Sequence, residues 1–71
     1  MNVLIVEDEI PAANRLSKLL QQLDNEICIL HQADSIETAV QYLLSSPNLD
    51  LIFMDIQLAD GLSFDIFEQV Q

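Results

Sequence analysis

Val3-Leu4-Ile5-Val6-Glu7-Asp8-Glu9, near the start of the chain, and Leu51-Ile52-Phe53-Met54-Asp55, in its second half, decide the fold. Each is a short apolar run that gives way at once to acid. An unbroken run of aliphatic and β-branched residues suits a strand buried on both faces. Helical patterns lie between the two runs. Pro11 suits a first helical turn, where its missing N–H costs little. Apolar residues at 12, 13, 16, 19, 20 and 23 then recur with helical spacing, until Asp24-Asn25 interrupts them. Ile27 to Leu30 reads as a second strand, extending toward Ala33. Asp34 is expected to cap the next helix, with Glu37 completing a capping box. That helix carries Ile36, Ala39, Val40, Leu43 and Leu44 as its stripe. Ser45-Ser46-Pro47-Asn48 ends it in a loop.

Beyond Asp55, Ile56 to Leu62 reads as a loop containing Gly61. Ser63 is expected to cap a last helix, with Asp65 near its positive end. Ile66, Phe67 and Val70 are expected to face inward. The order is therefore strand, helix, strand, helix, strand, helix, with no further internal repeat. Such alternation implies an α/β fold with a parallel sheet and right-handed crossovers. Ligands of such sheets sit outside the carboxyl ends of the strands, where strand order reverses.

Composition narrows the function classes. The chain has 71 residues, enough for one domain or part of one. A chain this short buries only about 60% of its unfolded surface. Two basic and twelve acidic residues give a net charge of −10. That balance argues against a grip on nucleic-acid phosphates and against an anionic membrane surface. A hydrophobic content of 51% is not that of a disordered acidic tail. No apolar run approaches the roughly 20 residues of a membrane span. The first residues meet acid without a basic flank or cleavage site, unlike a signal peptide. Cys28 is the one cysteine, which excludes an intrachain disulfide, and with one histidine a structural zinc site is not expected. The expectation is a folded, acidic, cytoplasmic piece.

The chemistry concentrates in carboxylates at two strand ends: Glu7 and Asp8 after the first, Asp55 after the third. If those strands are neighbours, three like charges share a cleft and repel. A hard divalent cation offsets that repulsion, and Mg²⁺ is satisfied by one or two carboxylates, a backbone carbonyl and water. A carboxylate beside that metal can attack a phosphoryl group and form an acyl phosphate. The plainer alternative is that acids after a strand merely favour the next helix N-terminus. It suits Glu9 best, Glu7 and Asp8 less, and Asp55 least, because a loop follows Asp55.

The two acidic motifs, in this order and with a strand–helix unit between them, resemble those of bacterial response-regulator receiver domains. The resemblance covers the whole chain but only the amino-terminal portion of such a domain, residues 1–71. It implies a flavodoxin-like, doubly wound parallel sheet, here truncated to about three strands and three helices. It makes Asp55 the phosphoacceptor, taking its phosphoryl group from a histidine of a sensor kinase. It makes Asp8 a direct Mg²⁺ ligand, and Glu7 an acid that reaches the metal through water. Gln57 falls where a backbone carbonyl ligates the metal. Glu9 has no role in the family's metal site.

The family's Ser/Thr after strand four and Lys after strand five find no counterpart, since Arg15 and Lys18 lie on the first helix. The piece is therefore expected not to complete the family's conformational switch. Ala59 stands where many receivers have proline, and Gly61 comes about two residues early for the commonest loop. With Glu7-Asp8-Glu9-Ile10-Pro11, these features resemble receivers that precede LytTR-type DNA-binding domains. The expected role is a phosphoacceptor module, not a metabolic enzyme, that controls an output such as transcription. The third strand would be left as a hydrophobic edge, inviting self-association.

Two rivals come from other classes. A Mg²⁺-dependent phosphatase of the haloacid dehalogenase type also uses an aspartate after an apolar strand. Its DxD pattern is broken here by Gln57. A structural or interaction fragment without phosphorylation would be indifferent to Asp55→Asn. The remaining conspicuous residues read blandly. His31 is a partly exposed strand residue and Cys28 a small buried hydrophobe. Asp60 is a loop acid and Asp65 a helix-start acid. Tyr42 packs on the second helix or faces solvent. Phe53, Phe64 and Phe67 are core residues or part of the face that truncation uncovers.

Overall fold

A computed structural model describes residues 1–45 and 47–70. Ser46, assigned above to the loop after the second helix, lies outside the described residues. The elements run β1 (Asn2–Val6), α1 (Ile10–Leu23), β2 (Cys28–Ala33), α2 (Ile36–Leu44), β3 (Leu51–Met54), β4 (Gln57–Leu58), β5 (Gly61–Leu62) and α3 (Asp65–Gln69). The alternation expected from the sequence is present. β1, β2 and β3 form one parallel sheet in the order β2-β1-β3. That is the arrangement at one side of a 2-1-3-4-5 doubly wound sheet, so the α/β, flavodoxin-like expectation holds for this part.

β1 is central, and its residues alternate between two apolar layers. Val3 and Ile5 pack with Ala13 and Leu20 of α1, joined by Ile27, Ile29 and Phe53. Leu4 and Val6 pack on the other face with Ile36, Ala39 and Val40 of α2, Ile66 of α3, and Leu58. Val3 through Val6 are at most 1% exposed. The continuous apolar run thus reflects burial of both faces, each side chain contributing about 1.5–3 kcal/mol.

β2 reaches the same two layers by a local irregularity. The register passes from Val3↔Ile29 directly to Leu4↔His31, skipping Leu30. Without that extra residue Ile29 and Ala33 would share one face, because side chains alternate strictly along a strand. The bulge lets Ile29 join the α1 layer while Ala33 joins the α2–α3 layer. It also sets His31 against Tyr42 of α2, their rings stacked at 4.6 Å. Both expectations for these two residues hold, but Cys28 is exposed rather than buried.

Helix ends depart from the expected caps. Ser35, not Asp34, is the N-cap of α2, and Thr38, not Glu37, completes the box. The Thr38 amide donates to Ser35 Oγ and the Ser35 amide to Thr38 Oγ1. A third-position threonine does here what glutamate does in the usual pattern. Asp34 is used one step out, accepting from the Thr38 hydroxyl. At α3 the N-cap is Phe64, with no side-chain cap. Ser63 is instead fully buried, and its Oγ has no hydrogen-bond partner among the described residues. Its backbone is used: the amide donates to the Ile56 carbonyl, and the carbonyl accepts from the Ile66 amide. Ile66 faces inward as expected and Val70 packs partly buried beside it. Phe67 does not; it is 58% exposed, and Phe64 is 57% exposed. Because α3 is only five residues long, it buries one side chain fully.

The segment after Asp55 is not an unstructured loop. β4 and β5 form a small antiparallel hairpin, with Gln57 opposite Leu62 and Leu58 opposite Gly61. Gly61 has φ +143°, a conformation that L side chains rarely adopt, and a Cβ there would lie 3.1 Å from Ile36 Cδ1. At the opposite end of the sheet, Asp50 Oδ2 accepts from the Asn2 amide at 2.7 Å, and the Asn48 carbonyl accepts from the Asn2 side chain. Among the described residues β3 is paired on one side only, with Leu51 exposed and Ile52, Phe53 and Met54 half-buried. Among the described residues no helix is long and apolar enough to cross a membrane.

Two substitutions test this packing by thermal or denaturant unfolding. Leu4→Ala is expected to cost about 3 kcal/mol through lost burial and a cavity. Ser63→Ala is expected to leave stability unchanged or raise it by up to about 1 kcal/mol, because the buried hydroxyl has no partner to lose. A loss of about 1 kcal/mol would instead be the mark of a helix cap.

Candidate functional site

β1 and β3 run parallel with Val6 opposite Met54, so the next residues of both strands emerge side by side. The backbone ladder continues one step past each strand. The Glu7 amide donates to the Ala33 carbonyl, and the Asp55 amide donates to the Val6 carbonyl at 3.0 Å. These bonds carry the rigidity of the sheet into the acidic residues. Glu7, Asp8 and Asp55 consequently come together, each offering a carboxylate oxygen within 4.8 Å of the others. Glu7 and Asp8 are half-buried and Asp55 is exposed. Gln57 is exposed at the start of β4, two positions beyond Asp55 and opposite Leu62.

The helix-start reading is weak for this cluster. The N-cap of α1 is Glu9, and no side chain caps that helix. Glu9 supplies only its carbonyl, which accepts from the Ala13 amide. Glu7 Oε1 does accept from the Glu9 amide at 3.1 Å. That bond favours the charged form of Glu7. Partial burial, a hydrogen bond with Asp8 and the charges of Asp55 and Asp8 together outweigh it, so the Glu7 carboxyl titrates above its usual value. Burial is the larger push toward neutrality and the neighbouring acids add to it; a cation would relieve the part due to like charge. The donor set consists of hard oxygen ligands from two adjacent strand ends, which fits Mg²⁺ chemistry.

A residue that the sequence left as a bland loop acid is used structurally beside this site. Asp60, in the turn between β4 and β5, reaches back to the start of α2. Its Oδ1 accepts from the Ile36 amide at 2.9 Å and its Oδ2 from the Glu37 amide at 3.2 Å. The Ile36 bond, opposed by some desolvation and aided by the Glu37 bond, holds the Asp60 carboxyl below its usual range. Asp60-Gly61 between Leu58 and Leu62 is a hairpin signal by composition, but nothing local points to α2. Arg15 and Lys18 lie exposed on α1.

Comparison with known proteins points in one direction. The chain is similar to curated sensory transduction proteins. Over 66 residues, 93% of this chain, the sequence is 39% identical to the sensory transduction protein LytT of Bacillus cereus. It is 35% identical over 71 residues to the sensory transduction protein LytR of Staphylococcus haemolyticus, and 34% identical over 71 residues to LytT of Bacillus subtilis. The chain spans only about a quarter of these curated relatives: 26%, 27% and 29% of their lengths, respectively. No family model matches. No solved structure matches.

The raised Glu7 carboxyl makes a sign-specific prediction. An acid whose folded value lies above its unfolded value contributes stability that is present below the unfolded value and lost as pH rises through the folded one. Glu7→Gln keeps an oxygen acceptor for the Glu9 amide but removes the charge. In divalent-free buffer at pH 7 it is expected to raise stability by under about 1 kcal/mol, solvent screening keeping the effect small. Unfolding followed over a pH series should show the gain shrinking as pH falls through the raised value of Glu7, and absent below its ordinary unfolded range, where folded and unfolded chains both carry the proton.

Proposed function

We propose that this chain is the amino-terminal portion of a receiver domain of a two-component regulator, with Asp55 as its phosphoacceptor. The observation that carries the reading is the convergence of Glu7, Asp8 and Asp55 within 4.8 Å at the carboxyl ends of neighbouring parallel strands. The similarity to sensory transduction proteins supports it. In this reading Asp8 and Asp55 hold Mg²⁺ directly, Glu7 holds it through water, and the Gln57 backbone carbonyl completes the protein's share. When bound, the ion neutralises charge on the incoming phosphoryl oxygens.

The chain's own residues do the rest. Asp55 is exposed, as a group that must meet a partner's phosphohistidine has to be. Its backbone is tied to Val6, so its carboxylate starts from a fixed base. A carboxylate oxygen of Asp55 attacks phosphorus, the phosphorus–nitrogen bond of the donor breaks, and the imidazole leaves with a proton from solvent. The product is an acyl phosphate on Asp55. Glu7 and Asp8, left unmodified as carboxylates, would hold the ion. The partner is a sensor histidine kinase, and the controlled output is one such as transcription, exerted by a part of the protein other than this acidic segment.

Intact mass spectrometry after incubation with a small acyl-phosphate donor tests the reading. A single phosphoryl adduct is expected with Mg²⁺, reduced at least about tenfold without it, and absent from Asp55→Asn. A folded protein that acquires no adduct under any of these conditions, or an adduct that survives Asp55→Asn, overturns the assignment.

A further inference from the structure

The segment that follows Asp55 is held at three points. The Asp55 amide is bound to Val6, the Ile56 carbonyl accepts from the Ser63 amide, and Asp60 grips the first two amides of α2. Gln57 lies between the first and third of these points. Two further contacts press the hairpin onto α2. Leu58 is 4% exposed in the same apolar layer as Ile36, and Gly61 passes so close to Ile36 that a Cβ would touch its terminal carbon.

Capping α2 does not by itself require this arrangement. Ser35 already serves the Thr38 amide, in a reciprocal box. Asp60 serves the two amides before it, from 23 and 24 residues away in sequence. A local cap would have fixed the helix alone. One drawn from the hairpin fixes the helix and the hairpin to each other. Both bonds join a carboxylate to backbone amides at a helix N-terminus, a strong class of hydrogen bond.

We propose that Asp60 is a positioning residue for the acidic site: by binding the Ile36 and Glu37 amides it fixes the hairpin, and with it the backbone of Gln57 beside Asp55. The proposal rests on the reading of Glu7, Asp8 and Asp55 as a Mg²⁺ site to which Gln57 contributes its carbonyl. Without the anchor, the hairpin keeps the Ser63–Ile56 bond and the Leu58 and Gly61 contacts but loses its polar tie to α2, and its turn is less firmly held. The three carboxylates then remain, but the fourth oxygen is held less firmly where it is needed. Groups that orient a metal's ligands commonly change affinity by 10–100-fold when removed, by about the lower figure here because the ligand is a backbone carbonyl.

The test is a Mg²⁺ titration of the intact protein, followed by backbone amide resonances, on wild type, Asp60→Ala, Asp60→Asn and Ser35→Ala. Asp60→Ala is expected to weaken Mg²⁺ binding about tenfold and to shift the Asp55 and Gln57 amide resonances before any metal is added. Asp60→Asn keeps one acceptor oxygen and should fall between it and wild type, and it carries the test if the alanine variant unfolds. Ser35→Ala destabilises the same helix end without touching the hairpin, and should bind Mg²⁺ as wild type does. Wild-type affinity in both Asp60 variants overturns the positioning role, as does an equal loss in Ser35→Ala, which would make Asp60 a helix cap and nothing more. A wild-type protein that takes up no Mg²⁺ overturns the metal reading itself and this proposal with it.

Discussion

Parallel pairing between β1 and β3 is the constraint on which the rest of this molecule depends. β1 from Val3 and β3 throughout are apolar to the last residue, and burial of Val3 through Val6 on two faces leaves β1 no freedom to slide. A shift of one residue would exchange the α1 layer for the α2–α3 layer at every position. With Val6 held opposite Met54, the acids that follow must emerge together. Hydrophobic burial therefore sets the position of charged groups that would otherwise move apart.

That arrangement sets like charges against one another, a conflict that the proposed Mg²⁺ would relieve. The raised Glu7 carboxyl is the local sign of the conflict. Two backbone bonds, from Glu7 to Ala33 and from Asp55 to Val6, hold the strand ends in place while their side chains repel. The same tension is spread over a chain carrying −10 net charge, for which any divalent cation would be a favourable partner. The specificity of the proposed site lies in the strand geometry, not in the charge total.

The hairpin after Asp55 shows how a short chain rigidifies a functional loop. It has little core of its own. Leu58 is its one buried side chain, and its remaining order is borrowed from α2 through Asp60 and the close approach of Gly61. α3 likewise contributes a single fully buried residue, Ile66. Phe67, adjacent to Ile66 in this five-residue helix, and Phe64, the residue before the helix, stay largely exposed.

The strand–helix alternation, the parallel sheet and the meeting of Glu7, Asp8 and Asp55 were legible in the sequence. The alternation follows from hydrophobic periodicity and from where each apolar run stops, which are local properties; the meeting of the three acids needed in addition that β1 and β3 be neighbours, which the sequence left as a condition and the sheet order satisfies. What only the tertiary structure decided are matters of contact between distant segments. Asp60 caps a helix that begins 24 residues earlier, and no local pattern encodes that. The β2 bulge is required by the separate demands of two layers on Ile29 and Ala33, and it appears only once both layers are assembled. The choice of Ser35 over Asp34 as the cap is by contrast local: Ser35 Oγ accepts from the Thr38 amide, and Asp34 accepts from the Thr38 hydroxyl instead. Ser63, polar by type, is buried because its backbone closes the hairpin and starts the last turn. Periodicity tells which residues must leave water, and packing decides what they meet when they do.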